Sequence, residues 1–253
     1  MAAGRYNRSV RDRSVLLPVR AAAAPTSSTA WSHADRVATV RAAGTEGRLD
    51  LAAPEAGLEI ATADGVDRLL GVDLHGAAGA PVDQWARGGD LVAIYEPDDP
   101  RRLRATAMWR VGPAASAAWE LVISAQTALL HADAALAVVS DVAGGDVHWA
   151  AADGRWMPLA ESRPLPPEAV TVLVRRAATA AVVAVHPQDP RRIVVAGTDG
   201  RVRIRCGIFP AAIEKGVILR SRMLAAVGGA RGAESWAADA CAAFAASPPF
   251  LDT

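Results

Sequence analysis

Arg201, Arg203 and Arg205 alternate with Val202, Ile204 and Cys206, and Arg220 and Arg222 repeat the two-residue spacing a short connection later. Side chains two apart on a strand share a face. Each run therefore presents guanidinium groups on one surface. If the two runs pair as an antiparallel hairpin, several like charges crowd together, which is unfavourable unless something negative joins them. Asp and Glu from neighbouring strands, such as Glu59 or Asp73, can interleave with the arginines. Alternatively, Arg203, Arg205, Arg220 and Arg222 form a site for an anionic ligand, because the guanidinium fork grips carboxylate or phosphate through two parallel bonds.

A second group lies mid-chain. Tyr95-Glu96, Trp109-Arg110, Glu120 and residues 124–127 (SAQT) fall on runs expected to be neighbours in a sheet. Alternation places Arg104 and Arg110 on one face of their strand with Trp109 on the other, and groups Glu120, Ser124 and Gln126 on one face of the next. Arginine, carboxylate, amide and an indole suit a polyhydroxylated ligand; an ordinary solvated face with Trp109 in the core is the plainer reading. Glu214, in the connection before the last arginine run, could serve as a general base kept ionised by nearby positive charge, or simply be part of a charged turn.

Other chemistry finds no support. The chain has no glycine-rich phosphate loop opening a helix, no His-Glu-x-x-His helix, no nucleophile elbow and no Cys-x-x-Cys pair. The five histidines, His33, His75, His131, His148 and His186, are dispersed and read as surface or structural. No metal and no cofactor is expected. Cys206 and Cys241 could form one disulfide, but a single pair is not a disulfide framework.

The elements that must hold these residues are strands. Between residues 36 and 225, short runs alternate with Gly, Pro and Asp punctuation: 36–42, 47–52, 58–62, 68–74, 90–95, 103–111, 118–124, 136–142, 146–151, 170–176, 181–186, 192–196, 201–207 and 217–225. Asp-Gly recurs at positions 64, 153 and 199, where tight hairpin turns favour it. Runs 135–139 and 181–185 are apolar throughout and read as central strands. Residues 91–107 align without gaps to 181–197 around Asp-Pro-Arg-Arg, which suggests a duplicated hairpin, or merely two turns built from good turn residues. Residues 232–246 form the clear helix, with Trp236, Ala237, Ala240, Cys241 and Phe244 on its apolar side, and it is expected to cover a sheet edge or end. The expected fold is all-β: a large antiparallel β-sandwich with one C-terminal α-helix, a single domain over 31–253.

Composition bounds the partners. With 27 basic and 27 acidic residues the net charge is zero, which argues against nucleic acid as a partner. No apolar run is long enough to span a bilayer, so no membrane partner is expected. Residues 1–30 are arginine-rich, lack the apolar stretch of a secretory signal and read as a disordered extension, which makes a cytoplasmic location the expectation. Seven of twelve aromatics are Trp, and some of these indoles are expected at a surface, where they join a flat apolar face to a donor.

The many-stranded pattern, the sandwich-sized chain and the closing run 214–222 (EKGVILRSR) resemble the galactose-mutarotase-like supersandwich proteins, and bacterial β proteins of similar size. That resemblance covers roughly residues 31–225. It implies a glutamate base assisted by histidine at a sugar's anomeric centre, matched here at most by Glu214 with His131 or His186; a counterpart to the family's histidine motif is absent. Three functions follow as expectations: binding of an anionic carbohydrate or other anionic small molecule, mutarotase- or lyase-like catalysis, or a structural and protein-interaction role.

Overall fold

The computed structural model describes residues 31–75, 79–96, 98–112, 117–159, 161 and 163–248; the extension at 1–30 lies outside them. In chain order the first strands are β1 (Trp31–Ala34), β2 (Val37–Ala42), β3 (Thr45–Asp50), β4 (Leu58–Thr62), β5 (Gly65–Asp73), β6 (Asp83–Arg87), β7 (Asp90–Tyr95) and β8 (Leu103–Val111). Then come β9 (Ala117–Thr127), β10 (His131–Asp133), β11 (Leu136–Ala143), β12 (Asp146–Ala151), β13 (Trp156–Pro158) and β14 (Arg163–Pro164). The last are β15 (Ala169–Arg175), β16 (Thr179–Val185), β17 (Arg192–Thr198), β18 (Arg201–Ile208), β19 (Ala212–Glu214) and β20 (Leu219–Gly229), followed by helix α1 (Ala233–Ala246).

Two nine-stranded antiparallel sheets form a sandwich. The first has the order β1-β2-β3-β4-β5-β11-β18-β17-β14 and the second β13-β12-β15-β16-β20-β9-β8-β7-β6; β10 and β19 make a separate ribbon. The all-β sandwich with one C-terminal helix is as the sequence predicts. The apolar runs are central strands: β16 lies between β15 and β20, and β11 between β5 and β18. At Asp199-Gly200, φ is +48° and +72°, the mirror-image turn whose twist matches the strands it joins, β17 and β18.

Alternation sends one side chain in two into the core. Leu91, Ala93, Tyr95, Ala107, Trp109, Trp119, Leu121 and Ile123 of the second sheet meet Val40, Leu49, Ile60, Leu69 and Val72 of the first. Many inward positions are alanine, and large aromatics fill the space they leave. Their polar atoms cross the core to backbone acceptors: Trp109 Nε1 donates to the Leu70 carbonyl at 3.1 Å, and Tyr95 Oη to the Leu51 carbonyl at 3.0 Å. Trp31, Trp109, Trp119 and Trp149 are buried, so the expectation of surface indoles holds for few of them, chiefly Trp85.

One expectation is corrected and one open alternative is decided. Helix α1 lies on the face of the second sheet and not along an edge: Ala233, Ala237, Ala240 and Phe244 pack on Leu173, Val182, Ala184, Leu224 and Ala226. That stretch of outer face is apolar and needs a cover, which the helix supplies. The duplicated hairpin also dissolves. β7 and β8 pair within one sheet, whereas β16 belongs to the second sheet and β17 to the first. Both Asp-Pro-Arg-Arg turns brace themselves through arginine, Arg101 on the Asp99 carboxylate and Arg191 on three backbone carbonyls.

Candidate functional site

Helix α1 covers the outer face of the second sheet over β15, β16 and part of β20 and leaves the side toward β6 open. With Ala105, Ala107 and Trp109 facing inward, period two sends Arg104, Thr106, Met108 and Arg110 outward from β8. The register then aligns the neighbours. Arg104 stands opposite Gln126, Thr106 opposite Ser124, Met108 opposite Val122 and Arg110 opposite Glu120. On the other side of β9, Ser124 faces Arg220 and Val122 faces Arg222. On β6, Trp85 faces Val92 and Arg87 faces Asp90.

The open part forms a groove of about 700 Å³. Val92, Met108 and Val122 give it an apolar floor; Thr106 and Ser124 add hydroxyls; Trp85, Arg87, Asp90 and Arg220 complete the lining. The Trp85 indole is 39% exposed. Arg110 binds Asp90 through a fork, with Nε to Oδ1 at 2.9 Å and Nη2 to Oδ2 at 2.7 Å. Arg220 Nε donates to Ser124 Oγ at 3.3 Å. A neighbouring hollow of about 550 Å³ is lined by Glu96, Asp98, Arg102, Arg104 and Gln126, with Arg104 Nε 3.4 Å from Glu96.

Of the residues the sequence singles out, Arg110, Glu120, Gln126, Arg220 and Arg222 therefore share this one face. Trp109 does not: it is fully buried on the opposite side of β8. The indole on the groove belongs to Trp85, which sequence reasoning passed over because the run Asp-Gln-Trp-Ala-Arg shows no apolar alternation. Its one signal is a solitary Trp among polar residues.

The pairing of the two arginine runs is also corrected. β18 lies in the first sheet between β11 and β17, and β20 in the second between β16 and β9. Arg203 and Arg205 thus sit on a different surface from Arg220 and Arg222. Acids interleave with the first run: Arg201 binds Asp141, Arg203 Nη2 lies 3.4 Å from Glu55, and Arg205 binds Asp73. At Asp73 burial works to raise the carboxyl pKa, but the Arg205 bond and the His75 N–H outweigh it and hold the group below its ordinary value.

At the inner end of the groove face lies a covered charged cluster. Glu120, His186 and Arg222 are each more than nine-tenths buried. Burial pushes the Glu120 carboxyl above its ordinary value, against the pull of Arg222 and Arg110. Glu214 is elsewhere, on the β10–β19 ribbon opposite His131, with 3.9 Å between carboxylate and imidazole and both side chains mostly in solvent. Among the described residues no group of three or more His, Cys, Asp and Glu could hold a metal ion, and no helix is long and apolar enough to cross a membrane.

With this geometry in view, comparison with solved structures decides the architecture. A candidate aldose 1-epimerase from Escherichia coli K12 superposes with a TM-score of 0.50 at 9% identity, over 79% of this chain and 98% of that one. The chain shares its fold. A candidate aldose 1-epimerase from Klebsiella pneumoniae matches equally, at 0.50 and 9%, over 83% of this chain and 86% of that one. The galactosidase domain of an alpha-galactosidase–sucrose kinase matches at 0.53 and 8% identity, over 79% of this chain and 42% of that one. No family model and no curated protein matches the sequence. At such identities the likeness concerns the fold, as the resemblance drawn from the strand pattern implies.

Proposed function

We propose that this protein binds carbohydrate in the groove on the outer face of its second sheet, with a preference for an acidic sugar. The observation that carries the reading is Trp85, a partly exposed indole beside an apolar floor ringed by hydroxyl and guanidinium groups. A pyranose has the same division, with apolar C–H faces and a rim of hydroxyls, and the groove volume lies in the range of small-molecule sites. Arg87 lines it beside Asp90, whose charge Arg110 already balances; this supports an anionic substituent on the sugar. The fold's neighbours, candidate aldose 1-epimerases and a galactosidase domain, lend the reading support at the level of substrate class.

The test is a thermal-shift series with galactose, galacturonate and galactose 6-phosphate. A ligand at a hundred times its Kd adds about 2.7 kcal/mol to the stability of the folded state. The reading requires that at least one sugar raises Tm, the acidic ones most; no shift with any saturating sugar removes it. A catalytic reading rests on the Glu214–His131 pair, which brings a carboxylate and an imidazole to one surface. Its measure is polarimetric anomer interconversion, and a Glu214→Ala variant with undiminished rate ends the role of that pair.

A further inference from the structure

The charged cluster beside the groove is covered by the chain's own C-terminal segment. Phe244, at the end of α1, stands with its ring edge-on to His186, centroids 5.5 Å apart, and the Arg222 guanidinium lies 5.1 Å from the same ring. Beyond it, Ser247 and Pro248 cross over Arg222. Nη1 donates to the Ser247 carbonyl at 3.1 Å and to the Pro248 carbonyl at 3.3 Å, and Nη2 donates to Ser247 Oγ. Three neutral oxygens therefore occupy the guanidinium where a charged oxygen pair would bind more strongly.

Two donors in the cluster are left over. Arg222 Nε is buried without a hydrogen-bond partner among the described residues. His186 Nδ1 accepts the Gln188 N–H at 3.4 Å, which places the proton of the neutral ring on Nε2, and that atom is likewise buried without a partner. A buried donor without an acceptor carries a desolvation penalty of about 1–3 kcal/mol. Two of them flanking one ring point to an absent acceptor. Glu120 approaches only the Nη2 end of Arg222, at 3.9 Å. Burial raises its pKa against the pull of Arg222 and Arg110. The place is contiguous with the groove, because Val122, on the groove floor, is the register partner of Arg222.

We propose that residues 244–248 are a strap over an anion subsite formed by Arg222 and His186, and that a carboxylate on a sugar in the groove displaces it. The strap's carbonyls and hydroxyl hold the place of that carboxylate in cis. This rests on the groove being the sugar site. Displacement lets the ligand take both orphaned donors and replaces bonds from the Arg222 guanidinium to neutral oxygens with bonds to a charged carboxylate.

The experiment compares full-length protein with Ser247→Ala, titrating galactose, galacturonate and acetate by calorimetry and thermal shift. Loss of the hydroxyl removes strap contacts to Arg222 and to the Phe244 carbonyl, so galacturonate should bind the variant about fivefold more tightly, a change of about one hydrogen bond, with galactose unchanged. Arg222→Lys, which loses the fork, should weaken galacturonate alone. Galactose binding with no gain for galacturonate in Ser247→Ala overturns the strap and leaves the groove reading standing. Acetate stabilising Ser247→Ala beyond the parent while neither sugar binds supports the strap and removes the groove. No response to any of the three ligands removes both.

Discussion

Arg176 Nη1 donates to Asp67 Oδ1 at 2.5 Å across the sandwich, and the two side chains are 1% and 0% exposed. Asp67 belongs to β5 of the first sheet and Arg176 follows β15 of the second. The same Asp67 oxygen accepts the Ala143 N–H at 3.0 Å, so one carboxylate ties a neighbouring strand of its own sheet to the opposite layer. Asp64 reinforces the corner by accepting from the Thr179 hydroxyl at 2.6 Å and its N–H at 2.7 Å. Removing one partner of this pair leaves a buried charge. Asp67→Ala should cost about 3–5 kcal/mol, whereas Asp67→Leu with Arg176→Met should be about as stable as the parent or better. Urea unfolding of the single and double variants measures both; a loss in the double variant no smaller than that in Asp67→Ala would overturn the buried-charge account.

Trp85 and Trp109 should separate function from stability. Trp85→Ala should weaken sugar binding about tenfold, the equivalent of ~1.4 kcal/mol, while unfolding moves by no more than about 0.5 kcal/mol, as for a surface change. Trp109→Ala removes a fully buried indole and its bond to the Leu70 carbonyl and should cost about 3–5 kcal/mol. Calorimetric titration and denaturant curves on both variants decide the matter.

Acid should unfold the protein partly through Asp73. Its folded-state pKa is depressed, with burial overcome by Arg205 and the His75 N–H. A depressed carboxylate contributes stability that is present above the unfolded-state value and lost as pH falls through the folded value. Urea midpoints of the parent should therefore decline below about pH 4, and Asp73→Asn should show a shallower decline over the same range. Parallel curves would exclude Asp73 as a source.

Cys206 and Cys241 are both free thiols, and burial pushes them up to about 12 and about 11. A thiol that is protonated and covered is a poor nucleophile. Ellman's reagent should leave the native protein unmodified and titrate two thiols in guanidinium. Tm should be the same with and without reductant. Rapid reaction in the native state would place Cys241, the more accessible of the two, in a mobile helix.

The sequence by itself determined the class of fold, because period-two alternation and Asp-Gly turns are local properties of the chain. Strands 103–111, 201–207 and 181–186, the helix at 232–246, the shared face of Arg104 and Arg110, and that of Glu120, Ser124 and Gln126 all follow from spacing along single segments. What spacing leaves open is which strand lies beside which. β18 and β20 are close in sequence, yet they went to opposite sheets, so the arginines divided: Arg203 and Arg205 met Glu55 and Asp73, while Arg220 and Arg222 joined the mid-chain residues on β8 and β9. The expected indole exchanged places for a similar reason. Trp109 fills space beside the inward alanines of β7 and β8, Ala93, Ala105 and Ala107, and Trp85 reaches the groove from an edge strand with no apolar pattern. Only tertiary structure decided that α1 would leave part of a sheet face open and that Ser247 would cover Arg222. Both depend on contacts between segments far apart in the chain, whose free energies arise only when both partners are in place.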